Sequence, residues 1–368
     1  MKKVLFCAST LSHLVNFHLP YLKDFRDGGY QVWTAAGGGK ARFIPYADRQ
    51  VELPLCKKFF SPRNVLAIFR VRRLLLQEGF ECISTHTTLA SAVVRAAVLL
   101  LPRKRRPKVY CICHGYLFGE RGGWKKWAYL LPEKLCAPVT DVLMVMNRED
   151  YRIAEKHRLT KGRLVFIHGM GLDAGQFPIL TPEERETGRR ELGFGPDDFL
   201  FVYAAEFSRR KNQPLLLRAF AKALPRFPRG RLVLAGSGAT LEECRALAKQ
   251  LGIGEQVRFL GYVEEMERLY PLCDAAVSSS RIEGLPFNIM EAMACGLPVI
   301  ASRVKGHTDL LGEENPWLFS GEDELAELLA RAGELHPTDW GERLEPYLLP
   351  AVREELRREY GTQRPPEA

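Results

Sequence analysis

No stretch of this 368-residue chain reaches eighteen consecutive apolar residues, so no transmembrane helix is expected. The N-terminal KKVLFCASTLSH is interrupted by polar residues before it attains signal-peptide length. Nine cysteines are present, but they form no paired framework. The lone C-x-C of Cys111 and Cys113 matches neither a zinc spacing nor a disulfide scaffold, which suits a reduced, cytoplasmic protein. No D-x-D occurs, so a divalent cation held by such carboxylates is not indicated, and neither metal nor cofactor is expected. A complete G-x-G-x-x-G is lacking too. Gly236-Ser237-Gly238 is a lone G-x-G, which argues against a dehydrogenase.

What is there suffices for two cores. A chain of this length that is 46% hydrophobic exceeds one comfortable core and suits two domains of ordinary size. The formal net charge of +9 conceals an asymmetry: residues 1–175 hold 29 Lys and Arg against 13 Asp and Glu, a balance of +16 that leaves −7 for the remainder. The basic half could face nucleic acid, an anionic membrane or a phosphate-bearing substrate; the plainer alternative is a solvated basic surface.

Apolar runs of strand length recur at Val4 to Ala8, Gln31 to Ala35, Cys82 to Thr85, Val109 to Cys113, Val142 to Met146 and Leu164 to Ile167, with amphipathic stretches such as Arg63 to Glu78 between most of them. A segment rich in Pro, Gly and charge, Gly171 to Asp198, precedes a second series at Phe199 to Ala204, Arg231 to Ala235, Val257 to Leu260, Ala275 to Ser278 and Pro298 to Ala301. The alternation implies two doubly wound, parallel-sheet α/β domains. Their expected bounds are 1–175 and 176–345. Residues 346–368 form a last helix, with Ala351 to Tyr360 available to return to the first domain, and the final GTQRPPEA reads as disordered. Ligands of open parallel sheets bind beyond the carboxyl ends of the strands, so two such domains facing each other would enclose a cleft.

The chemistry concentrates after the strand AAVSSS, in RIEGLPFNIMEAMACGLPVIAS. Gly284 and Pro286 mark a tight turn, and Asn288 to Cys295 read as a helix. Free N–H groups at Leu285 to Asn288 and the positive end of the helix dipole suit a diphosphate. Glu283 precedes the turn and Glu291 lies one turn into the helix, so both can reach one ligand. Carboxylates accept hydrogen bonds from vicinal hydroxyls, which gives Glu291 a ribose and Glu283 a transferred sugar. The competing reading has Glu283 capping the helix and Glu291 solvated. Upstream, AEFSRRKNQP sets Arg209, Arg210 and Lys211 on a strand-to-helix connection, where they could neutralise a departing diphosphate or simply form an exposed turn.

These residues resemble family 4 of the retaining GT-B glycosyltransferases, whose fold is two Rossmann-like domains facing across a cleft. The resemblance rests on the E-x7-E spacing of Glu283 and Glu291, the basic loop, and LAGSGATLEECRALAKQLGIGEQVRFLGYV. FHLPYLKDFRDGGYQVWTAA, CHGYLFG and VMNREDYRIAEK are similar to the N-terminal acceptor domain of the branch that builds bacterial surface polysaccharides. The resemblance implies transfer of a hexose or N-acetylhexosamine from a nucleotide-sugar, a UDP-sugar first among them, to a glycan or lipid-diphosphate-linked acceptor. It implies donor-sugar contacts from Glu283, ribose contacts from Glu291 and diphosphate contacts from Lys211. Gly284, Leu285, Pro286 and Phe287 would line the donor loop, Gly236 and Ser237 would border the cleft, and Tyr262 and Val263 would receive the base.

His114 matches the family histidine that approaches the donor sugar, although on its residues alone it could equally be a packed histidine at a strand end. His13 and Asn16 lie in STLSHLVNFH, where the family often has a glycine-rich loop, and they join His86 as acceptor-side candidates. Many members carry Arg where this chain has Glu206. Either Arg209 or Arg210 takes over that phosphate role, which is the favoured reading, or the diphosphate is held less strongly. Retention of configuration comes from the resemblance alone; no carboxylate nucleophile is evident.

On the acceptor side, Leu89 to Leu101 are apolar apart from Ser91 and Arg95 and lead into PRKRRPK. An apolar face beside a basic cluster suits the inner face of an anionic membrane or a lipid diphosphate; the alternative is a buried helix followed by a basic surface loop. Trp124, Lys125, Lys126 and Trp127 form a second aromatic-basic group that suits an interface. Two rivals stand beside transfer. A sugar-nucleotide epimerase can share the architecture and would turn over donor without acceptor. A nucleic-acid-binding protein ranks low, because the basic residues join no recognisable binding motif, and no nucleic-acid partner is expected.

Overall fold

In the computed structural model the chain forms two compact units: Met1–Gly171 with Leu349–Ala368, and Leu172–Leu348. The structure describes residues 1–38, 43–56, 61–120, 123–124 and 126–362. Lys125 and residues 363–368, named above for interfacial contact and for disorder, lie outside the described residues.

The first unit is built on a seven-stranded sheet. Its strands are β1 (Lys3–Thr10), β2 (Gln31–Gly37), β3 (Arg49–Glu52), β4 (Cys82–His86), β5 (Lys108–Cys113), β6 (Val142–Val145) and β7 (Arg163–Phe166). All pairings are parallel and the order is β3-β2-β1-β4-β5-β6-β7. A strand covered on both faces needs a continuous apolar run, and Val4 to Ala8 are buried throughout. Strand order reverses its direction of growth between β1 and β4, which creates a switch point at their carboxyl ends.

Of the two readings of Leu89 to Leu101, the structure shows the buried helix followed by a basic surface loop. The helix Thr88–Leu99 packs Val94, Ala97 and Val98 into the core with Leu5, Ile83 and Val109, and its buried Arg95 donates to both carboxylate oxygens of Glu133 at 2.8 Å. Most of its apolar residues are used for packing, although Leu100 is exposed, and the following Arg103 to Arg105 are exposed as well. The C-terminal helix Leu349–Tyr360 belongs to this unit. Arg353 and Arg357 donate to buried Asp24 at 2.6 Å each, and the Tyr360 hydroxyl lies 2.7 Å from Ser84 Oγ.

The second unit carries a six-stranded sheet: β8 (Phe199–Ala204), β9 (Gly230–Ala235), β10 (Val257–Gly261), β11 (Ala275–Ser278), β12 (Val299–Ser302) and β13 (Leu318–Phe319). Its order is β10-β9-β8-β11-β12-β13, again all parallel, with the switch point between β8 and β11. Phe201, Leu232, Leu234, Val277 and Ile300 meet Leu216 and Phe220 of the helix Gln213–Ala223 and Leu325 and Leu329 of the helix Glu322–Ala330 in one core. Strands β3 and β13 were not expected, and the helix Phe287–Ala294 starts one residue earlier than expected. Among the described residues no helix is long and apolar enough to cross a membrane.

Candidate active site

In the second unit, the connections leaving β8, β11 and β12 come together at the switch point. The Lys211 carbonyl accepts from the Tyr203 hydroxyl at 2.9 Å and from Ser279 Oγ at 3.1 Å. Arg281 N donates to the Arg210 carbonyl at 2.8 Å, and its guanidinium donates to Asn212 Oδ1 at 3.2 Å. Asn212 adopts a left-handed conformation, φ 55°, one that asparagine tolerates better than most residues. The basic loop is therefore tied to the serine-rich end of β11. Gly306, φ 80°, lies against the turn before the helix, where a Cβ would approach the Gly284 carbonyl to 2.7 Å.

Charge is arranged around Glu283. Lys211 Nζ donates to Glu283 Oε1 at 2.6 Å and Arg210 Nη1 donates to Glu283 Oε2 at 3.0 Å. Burial alone would raise the carboxyl, but Lys211 and Arg210 more than offset it and hold it below the usual range. Lys211 is lowered by burial against the opposing pull of Glu283. Arg209, by contrast, is exposed, as is Glu206, whose carbonyl accepts from Gln213 Nε2 at 2.9 Å. The two arginines are thus distinguished: Arg210 joins Glu283 and Lys211, and Arg209 does not.

Glu283 does not cap the following helix. The N-cap is Pro286, with no side-chain hydrogen bond at that end. Nor is Glu291 solvated. Burial pushes its carboxyl up to about 7, with the Tyr270 hydroxyl acting against that rise and the Glu267 charge adding to it. Tyr270 also donates to the Asn288 carbonyl at 2.9 Å, so it braces the first turn. Leu285 and Pro286 are buried and Phe287 is half-buried. Gly236 and Gly238 have φ of 146° and 151°, and side chains there would collide with the carbonyls of Ala205 and Phe207. The Ser237 carbonyl accepts from Phe207 N at 2.9 Å. These glycines let the end of β9 lie against the connection that leads to Lys211. Tyr262 is exposed, and Val263 lines a groove with Leu260, Glu264 and Glu267.

His307 escaped sequence reasoning. It is fully buried, with Nδ1 held 2.8 Å from the Ser302 carbonyl and Nε2 unpartnered, and its pKa is lowered by burial while Glu283 acts in opposition. No spacing in the sequence marks it; only the fold of the connection after β12 brings it near the charge cluster.

In the first unit, three of the histidine candidates meet at the switch point. His13 lies on the helix Leu11–Phe17 after β1, His86 ends β4, and His114 follows β5. His13 Nε2 and His86 Nδ1 each lie 3.4 Å from His114 Nε2. Asn16 is exposed on the same short helix. The residue missed is His18, whose ring centroid lies 3.8 Å from that of His86; the H-x4-H of His13 and His18 was the available signal. Burial pulls His13 down to about 4 and lowers His18, His86 and His114, with mutual repulsion among the rings adding to it. Thr87 next to His86 is held at φ 65° by its hydroxyl, 2.6 Å from Ser9 Oγ. Backbone strain of this kind persists where the surroundings over-determine it.

Comparison with known proteins adds the following. A family model described as "Glycosyl transferases group 1" matches residues 184–342, and one described as "Glycosyl transferase 4-like domain" matches residues 24–169. EpsD of Bacillus subtilis (strain 168), a protein assigned as a glycosyltransferase, is 34% identical over 327 residues, covering 88% of this chain and 85% of EpsD. The UDP-Gal:alpha-D-GlcNAc-diphosphoundecaprenol alpha-1,3-galactosyltransferase of Escherichia coli is 23% identical over 266 residues, 71% of this chain and 67% of that protein. Among solved structures, Anabaena Alr3699/HepE in complex with UDP-glucose aligns with a TM-score of 0.77 at 18% identity, covering 99% of this chain and 100% of the other. At that identity the likeness speaks for the fold alone.

Proposed function

Since the chain belongs to the glycosyltransferases, we propose that it transfers a hexose or N-acetylhexosamine, with retention, from a UDP-sugar to a glycan or lipid-diphosphate-linked acceptor in bacterial surface polysaccharide synthesis. The observation that carries this reading is the pairing of Glu283 with Lys211 and Arg210 beside the uncapped N-terminus of the helix that bears Glu291. UDP is favoured because HepE was solved with UDP-glucose and the Escherichia coli relative acts on UDP-Gal. The lipid-linked acceptor is favoured by that relative's diphosphoundecaprenol substrate.

In transfer, the bond between the anomeric carbon and the donor diphosphate breaks, an acceptor oxygen bonds to that carbon, and the acceptor's proton passes to an oxygen of the departing diphosphate. The charge left on the diphosphate is the term the protein must stabilise. Lys211, Arg210 and the helix N-terminus supply pre-positioned positive charge for it. Glu283 accepts hydrogen bonds from hydroxyls of the sugar and Glu291 from those of the ribose, while Tyr262 and Val263 receive the base. The reaction needs no carboxylate-held divalent cation. Activity abolished by chelator and restored by magnesium or manganese would contradict that.

Work at the inner face of a membrane fits the helix Lys126–Cys136. Trp127, Leu131 and Leu135, spaced four residues apart, are 51%, 56% and 61% exposed, and Lys126 and Lys134 flank them. A stripe of this kind beside cations suits an anionic interface.

An assay of UDP-sugar turnover with and without acceptor tests the function. Transfer requires the acceptor for product to appear. Conversion of the donor to its epimer in the absence of acceptor would establish the epimerase instead.

A further inference from the structure

Four imidazoles share the switch point of the first unit. One nitrogen from each of His13, His18 and His114 can be chosen so that all three lie within 4.8 Å of one another. His114 Nε2 is 3.4 Å from His13 Nε2 and 3.4 Å from His86 Nδ1. Metal–nitrogen bonds of about 2.0–2.1 Å in a tetrahedral sphere set the ligand nitrogens about 3.4 Å apart. The separation of His13 from His114 already matches that spacing.

Three further observations bear on a ligand. His18 is fully buried with both ring nitrogens unpartnered, an arrangement that is costly unless a partner arrives. His86 turns its other nitrogen to Ser84 Oγ at 2.9 Å, and that hydroxyl lies 2.7 Å from the Tyr360 hydroxyl. A ring anchored by a polar group in this way holds its orientation against the imidazoles beside it. His13 and His114 are half-buried and leave an entry path.

We propose that His13, His18 and His114 form a binding site for a single transition-metal ion of the zinc class, with His86 packed behind His18. Neutral imidazoles suit zinc, cobalt, nickel and copper, whereas magnesium and manganese prefer oxygen ligands. The site is therefore distinct from anything that would neutralise a diphosphate. It does not rest on the reading of glycosyl transfer, because metal binding is measured without turnover.

The test is a titration of the full chain with Co2+, after removal of any affinity tag and dialysis against chelator. The expected result is visible d–d absorption of four-coordinate Co2+ that saturates at one equivalent and is bleached by one equivalent of Zn2+. H13Q and H18Q abolish that spectrum, S84A weakens binding about ten-fold, and H336Q, at an exposed histidine, leaves it intact. Melting curves accompany each variant, and the half-buried His13 position decides the matter where H18Q is unfolded. Absence of the spectrum from the wild-type chain, or its survival in folded H13Q, would overturn the proposal.

Discussion

Lys211 Nζ lies 2.6 Å from Glu283 Oε1, with both side chains largely withdrawn from solvent, 11% and 5% exposed. A buried ion pair is a poor source of net stability, but losing one partner is costly because the other charge stays buried. K211M, which leaves Glu283 with Arg210 alone, is expected to lower the unfolding free energy by about 3 kcal/mol in urea denaturation. K211M/E283L, lacking both charges, should recover most of that loss. A double variant no more stable than K211M would contradict the pairing.

Arg210 donates to Glu283 and Arg209 stands exposed, so the two adjacent arginines should separate by titration. R210A is expected to weaken UDP binding about ten-fold, the value of one charge-assisted hydrogen bond. R209A should leave it nearly unchanged. Equal losses measured by calorimetry would show that the folded geometry does not discriminate between them.

Glu291 makes a prediction about pH. Its carboxyl is raised to about 7, and its ionised form is the better acceptor for two ribose hydroxyls. UDP affinity should therefore rise as pH climbs through about 7, and E291Q should flatten the profile. Stability runs the other way. A carboxyl raised above its ordinary value of 4.5 contributes in full below that value and loses the contribution as pH rises through about 7. The melting temperature of the wild type relative to E291Q should decline across this window; a difference independent of pH would contradict the buried carboxyl.

Much of this was legible in the sequence. Strands Phe199–Ala204 and Ala275–Ser278 coincide with their apolar runs, because a strand buried on both faces has little freedom of composition. The turn at Gly284 and Pro286 and the spacing from Glu283 to Glu291 singled out the candidate site. Strand β3, Arg-Gln-Val-Glu, was hidden because an edge strand keeps polar, partly exposed residues, and β13 is only two residues long. Leu89 to Leu101 left two readings open, because an apolar stretch reads alike whether it faces a membrane or a core. Arg353 and Asp24 are far apart in sequence, so no local pattern could foretell their pairing. His307 owes its place near Glu283 to tertiary placement alone, whereas His18 carried the H-x4-H signal with His13.

The stripe of Trp127, Leu131 and Leu135 should matter for membranes alone. Sedimentation with anionic liposomes at physiological salt is expected to carry down the wild type, and W127S/L131S/L135S should remain in the supernatant with an unchanged melting temperature. A wild-type chain that stays in solution would remove the membrane from the proposed function.

The nucleotide-sugar site itself is tested most directly by a thermal-shift screen with UDP-, GDP- and ADP-sugars, since a ligand raises apparent stability in proportion to ln(1 + [L]/Kd). The expected result is a rise in melting temperature with a UDP-sugar that E291A erases. No shift with any of the three donor classes, or a shift of the same size in E291A, would contradict a donor site built on Glu283 and Glu291.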